Sequence, residues 1–407
     1  MVCAFVSVKI TSYYLGPAGI GTLGQLLQIM ALLFGLVSSG VNNGVVRSMP
    51  QVEIDARERV SLIATAFKLK FIAGLLIGSG VAACSAVIAK HLLHDDSLQW
   101  PILLLSVTYP IGLLGLMVFG LANASKDLYS TTLYSITSAL TGLILFVVLC
   151  PTFGTFGALM GVAGAPVITS TFALMFARRR SWWVHSWWMT PFSSRYCRLL
   201  LSMLPAAAIN TIGTPLVQIV LRDQLADRAG LDAVGYVQTL GRLTDLYLGV
   251  VSTLFLVYYL RRFSEIKERS ELKSEVLRSM RFVLPVVSLV AFALYLSRDL
   301  VIFILLTPAF SPMRELFGWQ MFGSIFQVIG LMFFYLLTAK LKPSWGIPFH
   351  MSVYIFWWLV GSWLISNRGA IGYPQAYAAT SIFQAIVGYL IFLWICRTMP
   401  DSPKSKL

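Results

Sequence analysis

The chain has 407 residues, 57% of them hydrophobic and only 12% charged, about half the charged share of an ordinary soluble domain, with a mean hydropathy of +0.77. This composition excludes a soluble enzyme or a nucleic-acid-binding domain and identifies a polytopic membrane protein. The net charge of +14 is then a matter of which loops hold the cations, and no nucleic-acid partner is expected.

Residues 1–15 are apolar apart from Lys9 and a few hydroxyls, and end at the turn signal Gly16-Pro17. Fifteen residues span only about 22 Å of a roughly 30 Å hydrocarbon core, so this first helix is expected to be truncated at its start. No cleavable signal peptide is visible. Further helices are predicted near 19–47, 60–90, 100–122, 128–150, 154–177, 199–221, 233–260, 275–298, 315–340, 344–366 and 373–397. The expected fold is all-α, with about twelve transmembrane helices in two six-helix bundles related by a pseudo-two-fold repeat. The bundles are assigned to residues 1–180 and 199–400, with a cytoplasmic linker at 181–198 and a cytoplasmic tail at 401–407.

Counted on that scheme, loops after even-numbered helices hold nineteen Lys and Arg and loops after odd-numbered helices hold six: Lys90, Arg222, Arg228, Arg298, Arg314 and Arg368. The excess belongs on the inner face, which places both termini in the cytoplasm of a multi-pass protein. Trp182, Trp183, Trp187 and Trp188 follow Arg178, Arg179 and Arg180 and read as an interfacial belt. The longest connector, Arg178 to Arg198, has 21 residues, too few for an extramembrane catalytic domain. The five cysteines are far apart with no metal-type spacing, and no nucleotide-binding loop is present; neither a cofactor nor a metal is expected.

The stretch Gly235–Arg261 organises the rest. Its 27 residues reach roughly 40 Å, enough to cross a bilayer. Gln238, Thr239, Arg242, Asp245, Gly249, Ser252 and Thr253 fall three or four apart and make one polar face. A charge near mid-membrane costs at least about 2.5 kcal/mol on insertion scales, so this face should line a cavity. Shifting the numbering by 214 pairs Gly21 with Gly235, Gly35 with Gly249, Ser38 with Ser252, Arg47 with Arg261 and Lys126 with Lys340, without a gap. The earlier copy has its own polar face of Gln25, Gln28, Ser38, Ser39, Asn42 and Asn43. Two such copies suggest a transporter with its site between them.

The candidate substrate-cavity residues are Lys9, Gln25, Gln28, Asn42, Asn43, Gln238, Arg242 and Ser252. Asp245 is the candidate for proton or cation coupling, although Arg242 and Asp245, three apart, could equally form a satisfied ion pair. Lys9 either snorkels to an interface or faces the cavity. Arg47, Lys68, Lys70 and Arg281 are expected to form a basic mouth on the cytoplasmic side. The sum is positive, which suits an anionic substrate. In Lys90–Asp96, His91 and His94 with Asp95 and Asp96 read as a polar helix cap rather than metal ligands, since nothing else completes a site. Asp127 reads as a solvated pair with Lys126, and Asp299 as a loop pair with Arg298. No residue is expected to be catalytic, and the protein is not expected to be an enzyme.

Three segments, LGPAGIG (Leu15–Gly21), RSMRFVLP (Arg278–Pro285) and LSRDLVIFILLTPAFSPMRELFGWQMFGSIFQVIG (Leu296–Gly330), resemble the Wzx-type polysaccharide flippases. These are the O-antigen translocases and enterobacterial common antigen lipid III flippases of the multidrug/oligosaccharidyl-lipid/polysaccharide exporter superfamily. The resemblance covers nearly the whole chain in order. It implies two six-helix bundles around a V-shaped cavity in the bacterial inner membrane. It further implies an undecaprenyl-pyrophosphate-linked oligosaccharide as the substrate, moved from the cytoplasmic to the periplasmic leaflet; rocking of residues 1–180 against 199–400 is then the expected route to alternating access. The partners implied are that substrate, membrane lipids, a polysaccharide polymerase and a chain-length regulator. A cation-coupled multidrug or small-molecule exporter of the same superfamily is the alternative, and a membrane-embedded glycan polymerase a weaker one.

Overall fold

In hydrocarbon every backbone polar group must be bonded within its own segment, so apolar runs of this length become helices. The computed structural model describes residues 2–52, 55–341 and 343–399. Every long element among them is helical: α1 Val2–Val52, α2 Ala56–Ala83, α3 Ser85–Leu92, α4 Gln99–Ala124, α5 Leu128–Ala177, α6 Ser194–Ser202, α7 Leu204–Leu254, α8 Leu260–Glu265, α9 Arg269–Leu296, α10 Arg298–Leu305, α11 Arg314–Lys340, α12 Pro343–Arg368 and α13 Gly372–Thr398. The expected tail 401–407 and Lys342 lie outside the described residues.

Among the described residues, eight stretches are long and apolar enough to cross a membrane. Four of them are broken inside by a glycine at positive φ: Gly16 (64°), Gly154 (55°), Gly230 (84°) and Gly369 (59°). Only glycine adopts that backbone without strain, so each break ends one arm and starts another at a new angle. Length and composition by themselves support eight crossings; the expected count of twelve turns on these broken ones. Cys84 also interrupts the helix expected over 60–90, which divides into α2 and α3.

The breaks repeat. The shift of 214 that aligns the sequence copies carries Gly16 onto Gly230, and Gly154 falls one residue from the equivalent of Gly369. The equivalence extends to a contact: a Cβ added to Gly21 would lie 2.7 Å from the carbonyl oxygen of Leu231, and one added to Gly235 would overlap the carbonyl of Pro17. Pro17 and Leu231 are themselves equivalents under the same shift. Only glycine allows the two copied segments to approach so closely at this point.

The chain divides into two compact units, one of Met1–Leu15 and Thr22–Ile219, the other of Gly16–Gly21 and Val220–Leu407. The first holds two apolar cores. One centres on Leu26, Leu105, Tyr109 and Leu159, the other on Val45, Leu62, Phe67, Met117, Trp182 and Trp183. The second is built on Phe255, Phe263, Val283, Phe333, Leu336 and Phe392.

The tryptophans expected at the membrane interface are partly turned inward. Trp182 and Trp183 are only 7% and 8% exposed. Trp183 and Trp187 lie 5.6 and 4.9 Å from the Phe67 ring, and of the four tryptophans Trp188 alone is exposed. Trp182 Nε1 donates to Asp127 Oδ2 at 3.0 Å. Asp127 is therefore no solvated partner of Lys126. It caps α5, accepting from the Ser130 N–H at 3.1 Å and its hydroxyl at 2.5 Å, and lies 3.7 Å from Arg180 Nε. Desolvation alone would raise this carboxyl. The bonds from the Ser130 side chain, Trp182 and the Ser130 backbone, with the Arg180 charge, outweigh it and bring the pKa from 3.8 to about 2. Asp299 pairs not with Arg298 but with Arg314, at 2.6 Å. Asp95 does act as a cap, accepting from the Ser97 N–H at 2.8 Å.

Candidate functional site

Polar side chains inside membrane-crossing helices survive only when their bonds are met or when they face water or a ligand. In the first unit, Lys70 of α2 is 0% exposed, and its Nζ donates to Asn42 Oδ1 of α1 at 2.7 Å. Asn42 Nδ2 in turn donates to the Leu116 carbonyl of α4 at 3.3 Å. The chain of bonds ties three helices together. Gly120 makes it possible, since a Cβ there would lie 2.6 Å from Asn42 Oδ1.

This corrects the mouth expected of Lys70, which is a wholly interior group. Lys68 is half-buried and donates to the Thr190 carbonyl at 2.8 Å, tying α2 to the segment before α6. Arg47 and Asn43 are exposed and Gln28 is half-buried. Gln25 is 0% exposed with neither amide atom hydrogen-bonded, and the Ser38 hydroxyl is also buried without a partner. Lys9 is exposed on its helix.

In the second unit, α7 carries a group that the sequence did not reveal. Arg222, expected in a periplasmic loop, lies inside the helical stretch Thr211–Glu265, about two turns before the break at Gly230. It is 4% exposed, and its Nε and Nη1 have no hydrogen-bond partner among the described residues. Its charge interacts with both Arg242 and Asp245. Arg242 is half-buried and Asp245 exposed; each feels the other's charge, but they make no close ion pair among the described residues, so the satisfied pair considered for them is not what the fold makes. Gln238 is buried with its Oε1 unpartnered, Ser252 is half-buried and Arg281 is exposed.

Around these charges runs a hydroxyl and amide seam. Tyr247 donates to Ser324 Oγ at 2.5 Å, Gln320 Nε2 to Thr244 Oγ1 at 3.2 Å, and Ser381 Oγ to Gln327 Oε1 at 3.1 Å. Tyr377 interacts with both Tyr247 and Asp245. The arrangement offers one buried guanidinium with open valences, a second guanidinium, one accessible carboxylate and several hydroxyls. Such a set of groups is complementary in charge and hydrogen bonding to a doubly charged anion.

The chain is 27% identical over 388 residues to the lipid III flippases of Escherichia coli (strain K12) and Shigella flexneri, covering 95% of this chain and 91% of each relative. Among solved structures it is similar to an inward-facing multidrug resistance MATE family transporter of the MOP superfamily, with a TM-score of 0.83 at 14% identity, over 97% of this chain and 94% of that one. It is also similar to the lipid II flippase MurJ, with a TM-score of 0.72 at 13% identity, over 98% and 86%. At such identities these structures speak for the fold, which is theirs. The polysaccharide biosynthesis protein family matches residues 1–259, more than half of the 407, and the chain belongs to that family.

Proposed function

We propose that this protein moves an undecaprenyl-pyrophosphate-linked oligosaccharide, an O-antigen unit or enterobacterial common antigen lipid III, from the cytoplasmic to the periplasmic leaflet of the bacterial inner membrane by alternating access. The observation that carries the reading is the set Arg222, Arg242 and Asp245 within one membrane-crossing stretch, with guanidinium nitrogens left unbonded. Unpaired donors at that depth cost several kcal/mol unless a ligand meets them, and a pyrophosphate supplies the acceptors. The polyprenyl tail stays in lipid while the sugars and pyrophosphate, which cannot cross hydrocarbon unaided, are handed along the guanidinium groups and the amides and hydroxyls nearby. Asp245, which lies in the field of both arginines, is the group through which a proton or cation couples to the cycle. The naming of the Escherichia coli and Shigella flexneri relatives as lipid III flippases supports the reading. The role is transport and not catalysis. The cation count along the loops supports cytoplasmic termini, and a polymerase and chain-length regulator are the partners such a route would feed.

The test is complementation of a flippase-null strain with Arg242→Ala and Asp245→Asn. Surface glycan should fall about tenfold in each, the equivalent of roughly 1.4 kcal/mol. Undiminished glycan with both would remove these residues from the mechanism, and drug efflux without glycan rescue by the wild type would favour an exporter of small molecules.

A further inference from the structure

The most distinctive sequence stretch, Leu296–Gly330, supplies Gln320, Ser324 and Gln327 to the polar seam near the charges of α7. It builds a separate feature of the second unit: an open pocket of about 580 Å³ where the end of α9, the start of α10 and the first turns of α11 meet. That volume is within the roughly 300–1,000 Å³ of small-ligand sites. Its walls include Tyr295, Trp319 and Phe322, all substantially exposed, and its rim carries Arg298, Arg314 and Glu315. Gly318 lies at the floor, where a Cβ would reach ordinary contact with the Tyr295 ring at 3.6 Å.

The rim charges are not equivalent. Arg314 is committed to Asp299 at 2.6 Å. Arg298 has no carboxylate partner among the described residues. Its guanidinium lies 4.5 Å above the Tyr295 ring and donates once, to the Tyr295 carbonyl, leaving further N–H donors for another molecule. Glu315, exposed in the first turn of α11, makes no ion pair among the described residues and is a free acceptor. A bare anion would be drawn by the arginine and repelled by Glu315, while a purely apolar ligand would leave both unused. A ligand that donates and accepts side by side, and has a flat C–H face, uses all three features. The negative face of an aromatic ring attracts such C–H groups. A pyranose has this pattern, with hydroxyls that both donate and accept around a ring whose face is C–H.

We propose that this pocket binds a single sugar ring, stacked on the aromatic wall, with hydroxyls donating to Glu315 and accepting from Arg298. The source of the sugar rests on the flippase reading: by the cation count this end of the helices is periplasmic, where the glycan headgroup would emerge. The chain in phosphatidylcholine nanodiscs is probed by saturation-transfer NMR with the methyl glycosides of glucose, mannose and N-acetylglucosamine, with glycerol as the control. At least one glycoside should show transfer above glycerol, and Trp319→Ala and Glu315→Gln should each reduce it about fivefold or more. Thermal unfolding of both variants checks the fold, and the exposed Glu315 carries the test if the tryptophan variant is unstable. The proposal is overturned if no glycoside exceeds glycerol. It is also overturned if folded Glu315→Gln keeps the wild-type signal, or if phosphatidylglycerol in the nanodisc abolishes the signal and so marks a lipid headgroup as the occupant. Failure of the flippase reading would show differently, as a wild-type chain that does not restore surface glycan, with these binding ratios unchanged.

Discussion

The two units treat a buried cation in opposite ways. In the first, Lys70 is fully enclosed and handed to Asn42, which is itself anchored to the Leu116 carbonyl. In the second, Arg222 is almost as deeply buried, but two of its nitrogens have no partner, and the carboxylate in its field, Asp245, stays accessible. Both bear the cost of taking a charge out of water. Only the first recovers it within the fold. A buried cation with its bonds made is a tie between helices; one with its bonds open is, on the function proposed above, a group kept for a ligand. That difference, and not the total of positive charge, is what the predictions below test.

The largest expected effect tests the tie. Asn42→Leu would leave the Lys70 ammonium buried without an acceptor, at a cost of about 3 kcal/mol or more. Thermal denaturation of the purified protein in detergent should show a correspondingly large loss. Adding Lys70→Leu to that variant removes the stranded charge and should recover most of the stability, because an apolar pair of similar volume often replaces a buried polar pair at little cost. If the double variant were as unstable as the single one, the Lys70–Asn42 bond would not be what holds these helices.

The reverse pattern is expected of Arg222. Arg222→Leu removes a desolvated group with open valences, so stability should stay within about 1 kcal/mol of the wild type or rise. Transport, read as surface glycan in the complemented null strain, should fall about tenfold, roughly 1.4 kcal/mol. A variant that unfolds yet transports normally when rescued at low temperature would place Arg222 with Lys70 as framework and erase the contrast.

How much of this could be read in advance follows from which residues hydropathy controls. The repeat was legible because Gly21, Gly235 and the terminal arginines are not dictated by an apolar alphabet, and the first two turn out to mark the close approach of copied segments. Arg222 was hidden because the run Leu221–Gly230 carries four charges and reads as a loop, whereas the helix continues to the break at Gly230. Lys68 and Lys70 read as two headgroup cations, but two residues are about 200° apart around a helix, so one reaches Thr190 and the other is sealed against Asn42. The inward turn of Trp182 and Trp183 depends on Asp127 and Phe67, more than fifty residues away, and no local pattern could announce it.

The smallest effect concerns Asp127, a carboxylate of the first unit whose bonds are all met, in contrast to Asp245. Its pKa is depressed from 3.8 to about 2, so the folded state favours the charged form. The stability this gives is fully present above about pH 4 and is lost as pH falls through about 2. Asp127→Asn keeps the shape of the α5 cap but not the charge, and should cost about 1 kcal/mol at neutral pH. Between pH 4 and 2 the wild type should lose stability more steeply than the variant, since only the wild type has this proton to take up. Parallel curves over that interval would mean that the cap and the Trp182 bond hold the segment before α6 by geometry alone. The charge would then be incidental to the framework, as that of Asp245 is not expected to be to the site.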